Sequence, residues 1–182
     1  MRIFGIDPGS QRTGYGCVER IGRRQALVIC GSLSGPPRAT FPDKLNAIPD
    51  GLTMLLTRHR PDCVAIEDIF HARNVRSALK LGHARGVALL AASAAGIAIV
   101  EYTPAEVKRA VVGYGRAEKQ QVQQMVKLLL GLAQPPTPHD AADALAVAIC
   151  HLQASTGGVA EEMRQNNLKP QSHLRSWRQY RP

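Results

Sequence analysis

The chain is predicted to be an α/β domain with a mixed five-stranded sheet flanked by helices. Two compact apolar runs end in acids: Ile3-Phe4-Gly5-Ile6-Asp7 at the amino terminus, and Cys63-Val64-Ala65-Ile66-Glu67-Asp68 further along. Such runs read as strands buried on both faces. Two further strand patterns follow the first run through short turns, which makes them antiparallel neighbours, and a helical pattern precedes the second, which makes it parallel to the first. The chain has 182 residues and is 45% hydrophobic, enough for one full core.

Pro8-Gly9 stops the first strand. Gly14 to Arg20 and Ala26 to Ser32 are the next two strands, joined by Gly22-Arg23-Arg24. Phe41 to His59 has helical spacing in Leu45, Ile48, Leu52, Leu55 and Leu56, but Pro49 interrupts it. An interior proline removes a hydrogen bond and clashes with the preceding turn, so a kink or two shorter helices are expected. Val75 to Ala95 is an Ala/Leu/Gly-rich helix ended by Gly96, and Ile97 to Glu101 is a further strand. Thr103-Pro104-Ala105-Glu106 has the signature of a capping box with proline at the first helical position. Ala117 to Leu130 is a second helix of this half, ended by Gly131. After Pro135-Pro136-Thr137-Pro138, His139 to about Ala154 is the last helix. The folded domain is therefore expected over 1–154. The remainder, 155–182, carries Arg164, Lys169, Arg175, Arg178 and Arg181 without an apolar pattern and reads as a flexible basic tail.

The net charge of +9 favours a polyanionic partner, nucleic acid first and an acidic membrane surface second. Aromatic residues are only 4% of the chain, too few for a surface that stacks single-strand bases. No apolar run is long and charge-free enough to span a bilayer, because Glu101 follows closely on the Ala-rich stretch. No charged-then-apolar leader pattern opens the sequence. Cys17, Cys30, Cys63 and Cys150 are scattered without C-x-x-C spacing, as in a cytoplasmic protein with reduced core thiols.

Asp7 and Glu67 end strands that are expected to share one sheet edge, where open α/β sheets place their chemistry. Asp140 and Asp143 lie three apart at the start of a helix, hence on one face. One such acid is explained by the helix dipole or by capping; the second, among Ala142, Ala144, Leu145 and Ala146, is not. Carboxylates crowded in this way take up protons unless they share a cation, and magnesium or manganese prefers such oxygen ligands. Two ions about 4 Å apart can activate water and stabilise the leaving oxygen of a phosphodiester. With a basic chain, a nuclease is the first reading; a phosphotransferase and a binding module are the others. His139, four residues before Asp143, is a candidate proton carrier or accessory ligand. Gly14-Tyr15-Gly16 and the Gly9-Ser10 turn are candidates for a phosphate cradle, although no P-loop pattern is present. Gly5 and the Pro8-Gly9 stop leave room for a neighbouring strand and a phosphate backbone.

The motifs G-I-D-P-G-S at 5–10, T-G-Y-G at 13–16, A-I-E-D-I-F at 65–70, S-A-L-K-L-G-H-A-R-G at 77–86, V-V-G-Y-G-R-A-E-K at 111–119 and D-A-A-D-A-L-A at 140–146 resemble, in order, those of the RuvC family of bacterial Holliday junction resolvases. The resemblance covers roughly residues 1 to 155. It implies a ribonuclease-H-like fold, a homodimer, and paired magnesium-dependent cuts in symmetric strands of a four-way DNA junction during recombination and repair. It implies that Asp7, Glu67, Asp140 and Asp143 are the catalytic, metal-binding acids, with manganese able to replace magnesium and two ions per site. It matches Phe70 to an aromatic that contacts junction bases, and Lys108 and Lys119 to basic residues near the scissile phosphate. Arg73, Arg76 and Lys80 are further candidate phosphate contacts. The Ala/Gly-rich helix with Gly82 and Gly86 resembles the family's dimer helix. The resemblance further implies partnership with the RuvA–RuvB branch-migration complex. Two other activities fit the same residues: junction binding with a silent site, and a ribonuclease-H-like enzyme acting on RNA.

Overall fold

Three antiparallel strands open the fold because their connections are too short for anything else. β1 (Arg2–Asp7), β2 (Thr13–Ile21) and β3 (Arg24–Leu33) form a meander, with Gly22 at φ 62° turning the second corner. After α1 (Phe41–His59), β4 (Cys63–Glu67) pairs parallel to β1. After α2 (Val75–Ala94), β5 (Ala98–Tyr102) pairs parallel to β4. The five strands lie in the order β3-β2-β1-β4-β5, which places β1 and β4 inside the sheet. Three helices complete the order: α3 (Pro104–Val112), α4 (Lys119–Leu129) and α5 (His139–Ala154). The computed structural model describes residues 1–36, 38–68 and 74–155. Met1–Leu152 forms one compact unit, and the tail expected over 155–182 lies, from 156 on, outside the described residues.

Alternation in the strands divides the core into two. Phe4 and Ile6 of β1 and Val64 and Ile66 of β4 point to one face, where Ile48, Leu52 and Leu56 of α1 and Ala84, Ala88 and Ala92 of α2 bury them. Gly5 and Ala65 pair on the opposite face, and α5 lies there. Eleven residues of α5, from Ala141 to Leu152 except Asp143, are buried, which is why its sequence is nearly all small and apolar. Such burial on every side leaves a helix no amphipathic stripe.

Of the two outcomes expected at Pro49, the structure excludes two shorter helices. α1 runs uninterrupted through it as a single helix of 19 residues. A capping box between Thr40 and Asp43 fixes its start, and the buried Ile48, Leu52, Leu55 and Leu56 flank the proline on both sides. That apolar contact outweighs the one hydrogen bond that the proline removes. The helix expected from Ala117 begins instead at Lys119, because the Gln121 side chain accepts the Glu118 backbone N–H at 2.9 Å and caps the first turn there. Cys17, Cys63 and Cys150 are buried thiols; burial pushes Cys17 and Cys150 up to about 12, so both are neutral packing groups. Among the described residues no helix is long and apolar enough to cross a membrane.

Candidate active site

The register of β1 against β4 brings the first two acids together. Ile6 pairs with Ile66, so Asp7 and Glu67 follow as neighbours at the carboxyl ends of the two parallel strands. Both side chains share the Gly5/Ala65 face, which is the face that α5 covers. On the other side of β1, Asp7 pairs with Gly14 of β2.

Glycines set how close α5 comes. A Cβ on Gly14 would stand 2.0 Å from the Asp140 carbonyl oxygen, and one on Gly5 would stand 1.9 Å from that of Ala144. At Gly16 it would strike the Leu145 side chain at 2.6 Å. The neighbour for which Gly5 leaves room is therefore a helix backbone, not a strand or a phosphate. The same holds for Gly14 and Gly16, whose expected phosphate cradle is filled by α5. This contact seats the first turn of α5 over Asp7, with Asp140 and Asp143 on it.

The electrostatics record the convergence. Burial, then Glu67, Asp143 and Asp140 in turn, hold the Asp7 carboxyl well above its ordinary 3.8, opposed by Lys119. Burial and then Asp143 raise Glu67 above 4.5, opposed by a hydrogen bond to Asp7 and by Lys119 and Lys108. Asp7 thus feels the other three acids, and Glu67 feels Asp143. The Lys119 ammonium lies 3.1 Å from Asp143 Oδ2, and that carboxylate is the main reason its own pKa rises. Among the described residues no group of three or more His, Cys, Asp or Glu side chains is already arranged to hold a metal ion. The donor set is nevertheless all carboxylate oxygen, half-buried and mutually repelling, which suits a hard divalent cation and not a soft one. A groove of about 670 Å³ opens onto Asp7 and Glu67, walled by Asp68, Leu81, Pro104 and Lys108.

A pH dependence follows. Carboxyls whose native pKa is raised bind protons more tightly folded than unfolded. Their contribution to stability is complete below the ordinary 3.8 and 4.5 and is lost as pH rises through the raised native values. In metal-free buffer the melting temperature should fall from weakly acidic towards neutral pH. A divalent cation should reverse the fall at neutral pH and do little in acid. Each pKa unit is about 1.4 kcal/mol, or roughly 3–6 °C for a domain of this size. Thermal melts of the protein and of Asp7→Asn check this; equal pH slopes for the two would remove Asp7 as the cause.

The remaining candidates divide. Lys108 and Lys119 join the acids. His139 is exposed at the first position of α5. Arg76 is exposed in the first turn of α2, while the Lys80 ammonium lies 5.5 Å from the Phe41 ring centroid. Phe70 and Arg73 fall outside the described residues. Gly82 and Gly86 are exposed on α2, with nothing within 4 Å of where a Cβ would stand. Sequence reasoning missed Arg85, which is ion-paired to Asp68 and Glu101. Its only local signal is a basic residue amid the Ala/Gly-rich second half of the helix.

Comparison with known proteins places this geometry. Residues 3–151 match the family described as crossover junction endodeoxyribonuclease RuvC. The chain belongs to the RuvC family. The RuvC of Desulforamulus reducens is 51% identical over 156 residues, 86% of this chain and 96% of that protein. The solved structure of Thermus thermophilus RuvC in complex with a Holliday junction substrate is 36% identical and superposes with a TM-score of 0.82, covering 87% of this chain and 97% of that one. The yeast mitochondrial Holliday junction resolvase, 13% identical, shares the fold with a TM-score of 0.58 over 90% of this chain and 85% of that one. The mixed sheet of this RuvC-family chain is thus the ribonuclease-H-like one of these resolvases.

Proposed function

We propose that the chain is a structure-selective DNA endonuclease that resolves Holliday junctions in homologous recombination and DNA repair. It does so by paired, metal-dependent phosphodiester hydrolysis in symmetric strands. The observation that carries the reading is the meeting of Asp7, Glu67, Asp140 and Asp143 at one sheet edge beside Lys119 and Lys108. Asp7, Glu67, Asp140 and Asp143 would hold the metal, two magnesium ions with manganese as substitute. The ions, when bound, would activate a water and offset charge on the phosphodiester. Lys119, already drawn to the acids, and Lys108 in the groove wall offset further negative charge on the scissile phosphate. Arg76 and Lys80 would add phosphate contacts, and the family resemblance adds Phe70 as a base contact and Arg73 as a further phosphate contact, both outside the described residues. His139, exposed beside Asp140 at the start of α5, is an accessory group. The charge of +9 makes junction binding fall steeply with salt.

Two cuts need two sites. On α2 the buried Ala84, Ala88, Ala91 and Ala92 form one face. Val75, Leu79, Gly82, Gly86 and Leu90 fall on the opposite one at helical spacing, and there Val75 is 77%, Leu79 60% and Leu90 67% exposed. An exposed apolar stripe with glycines at its centre fits a second copy of α2, and twofold symmetry then presents two equivalent sites to two symmetric strands. Leu79→Glu should give a monomer by light scattering; a dimer of unchanged stability would remove this face as the interface. A DNA substrate of this kind places the protein in the cytoplasm, and partnership with a RuvA–RuvB complex is carried by the family resemblance.

The deciding experiment incubates the protein with a four-way junction, a linear duplex and an RNA–DNA hybrid, with magnesium or with EDTA. Symmetric nicking of the junction alone, lost in EDTA, is expected. Preference for the hybrid would make it an RNA-directed enzyme, and binding without nicking would make it a junction-binding protein with a silent site.

A further inference from the structure

Arg85 lies at the seam between the two faces of α2, one residue before Gly86, and its side chain is 19% exposed. A guanidinium so covered is costly unless it is paired. Arg85 Nη2 lies 3.1 Å from Asp68 Oδ1, and the same nitrogen donates to Glu101 Oε2. Asp68 is the residue immediately after Glu67. Its backbone N–H donates to the Tyr102 carbonyl at 2.7 Å, so its main chain is tied to β5 and its side chain to α2. It also lines the groove that holds Asp7 and Glu67.

We infer that Arg85 is a positioning residue: by clamping Asp68 to α2 and β5 it fixes the end of β4 and thereby the direction of the Glu67 carboxylate. The clamp has a second consequence. It anchors the carboxyl end of β4, and it does so from the helix whose other face is the candidate docking stripe. Docking on α2 and the orientation of Glu67 are thus joined through a single guanidinium. Lysine keeps the charge but carries it on a shorter, flexible stem that does not reach as far as Nη2, so it restores the bridge only in part.

The inference rests on the endonuclease reading, and the test separates the two. Single-turnover cleavage of a four-way junction is measured as a function of magnesium concentration for the protein, Arg85→Met, Asp68→Asn and the double variant. Junction affinity, dimer mass and thermal melts are measured alongside. Each single variant should lose about 10–100-fold in cleavage rate, the range for partners that orient a metal ligand, and should need more magnesium, at unchanged junction affinity and mass. The double variant should lose no more than the worse single, because both break one bond. Arg85→Lys should recover only part of the rate. Should Arg85→Met fail to fold, Asp68→Asn decides, since that side chain is 40% exposed. Cleavage by Asp68→Asn within twofold of the unaltered protein at the same magnesium requirement overturns the clamp, as does a loss of rate that only tracks a loss of melting temperature. If the unaltered protein itself does not cut the junction, the endonuclease reading fails instead.

Discussion

Asp7→Asn is expected to abolish junction cleavage, by on the order of 10³-fold or more, while junction affinity should stay unchanged. Asp7 is the acid on which the other three act: Glu67, Asp143 and Asp140 all raise its pKa, and Lys119 opposes them. Its amide isostere keeps the volume and one oxygen but no charge, so on the proposed mechanism the cation would lose its central ligand. The basic residues proposed to contact DNA would be unaltered. The same change should raise the melting temperature in metal-free buffer, because it removes a carboxylate that burial and repulsion both disfavour. Loss of activity with gain of stability is the mark of a site that stores electrostatic strain for its ligand. Band-shift and cleavage assays on one junction preparation decide the matter: cutting at the normal rate by Asp7→Asn would sink the mechanism.

Gly14→Ala and Gly5→Ala should be nearly as damaging, through packing and not through charge. The new methyl at position 14 would stand 2.0 Å from the Asp140 carbonyl oxygen and 2.4 Å from its carbon. At position 5 it would stand 1.9 Å from the Ala144 oxygen and 3.0 Å from the Ala148 nitrogen. These are main-chain atoms of a buried helix, which cannot swing aside as a side chain can. α5 must lift off the sheet, which costs about 1–3 kcal/mol or more and carries Asp140 and Asp143 away from Asp7. A displacement of about 1 Å at a catalytic group is worth roughly a hundredfold in rate. Gly82→Ala is the matched control: nothing lies within 4 Å of its Cβ position, and alanine in a helix interior is favoured by about 0.5–1 kcal/mol. Denaturant melts should show Gly14→Ala destabilised and the Gly82→Ala protomer not. Equal stabilities would mean that α5 does not press on β2 as described.

The order of elements, the two strands that end in Asp7 and Glu67, and the paired acids at the head of α5 are legible along the chain. These are local signals: apolar runs, stop residues, helical spacing and the capping box at Thr103 are all read within a few residues. The motifs added the family, because six short matches in order constrain one another. Packing in three dimensions settled what the glycines are for. Gly5 and Gly14 look like turn or phosphate residues in one dimension, and they prove to be the surface on which a helix lies. It also decided that Pro49 leaves α1 whole, that Lys80 sits over Phe41, and that Arg85 bridges Asp68 and Glu101. Each of these joins residues far apart in the chain, through a register or a packing contact that no local spacing encodes. The raised pKa of Asp7 has the same origin: four acids are ordinary one at a time, and become a site only when β1, β4 and α5 bring them out of water together.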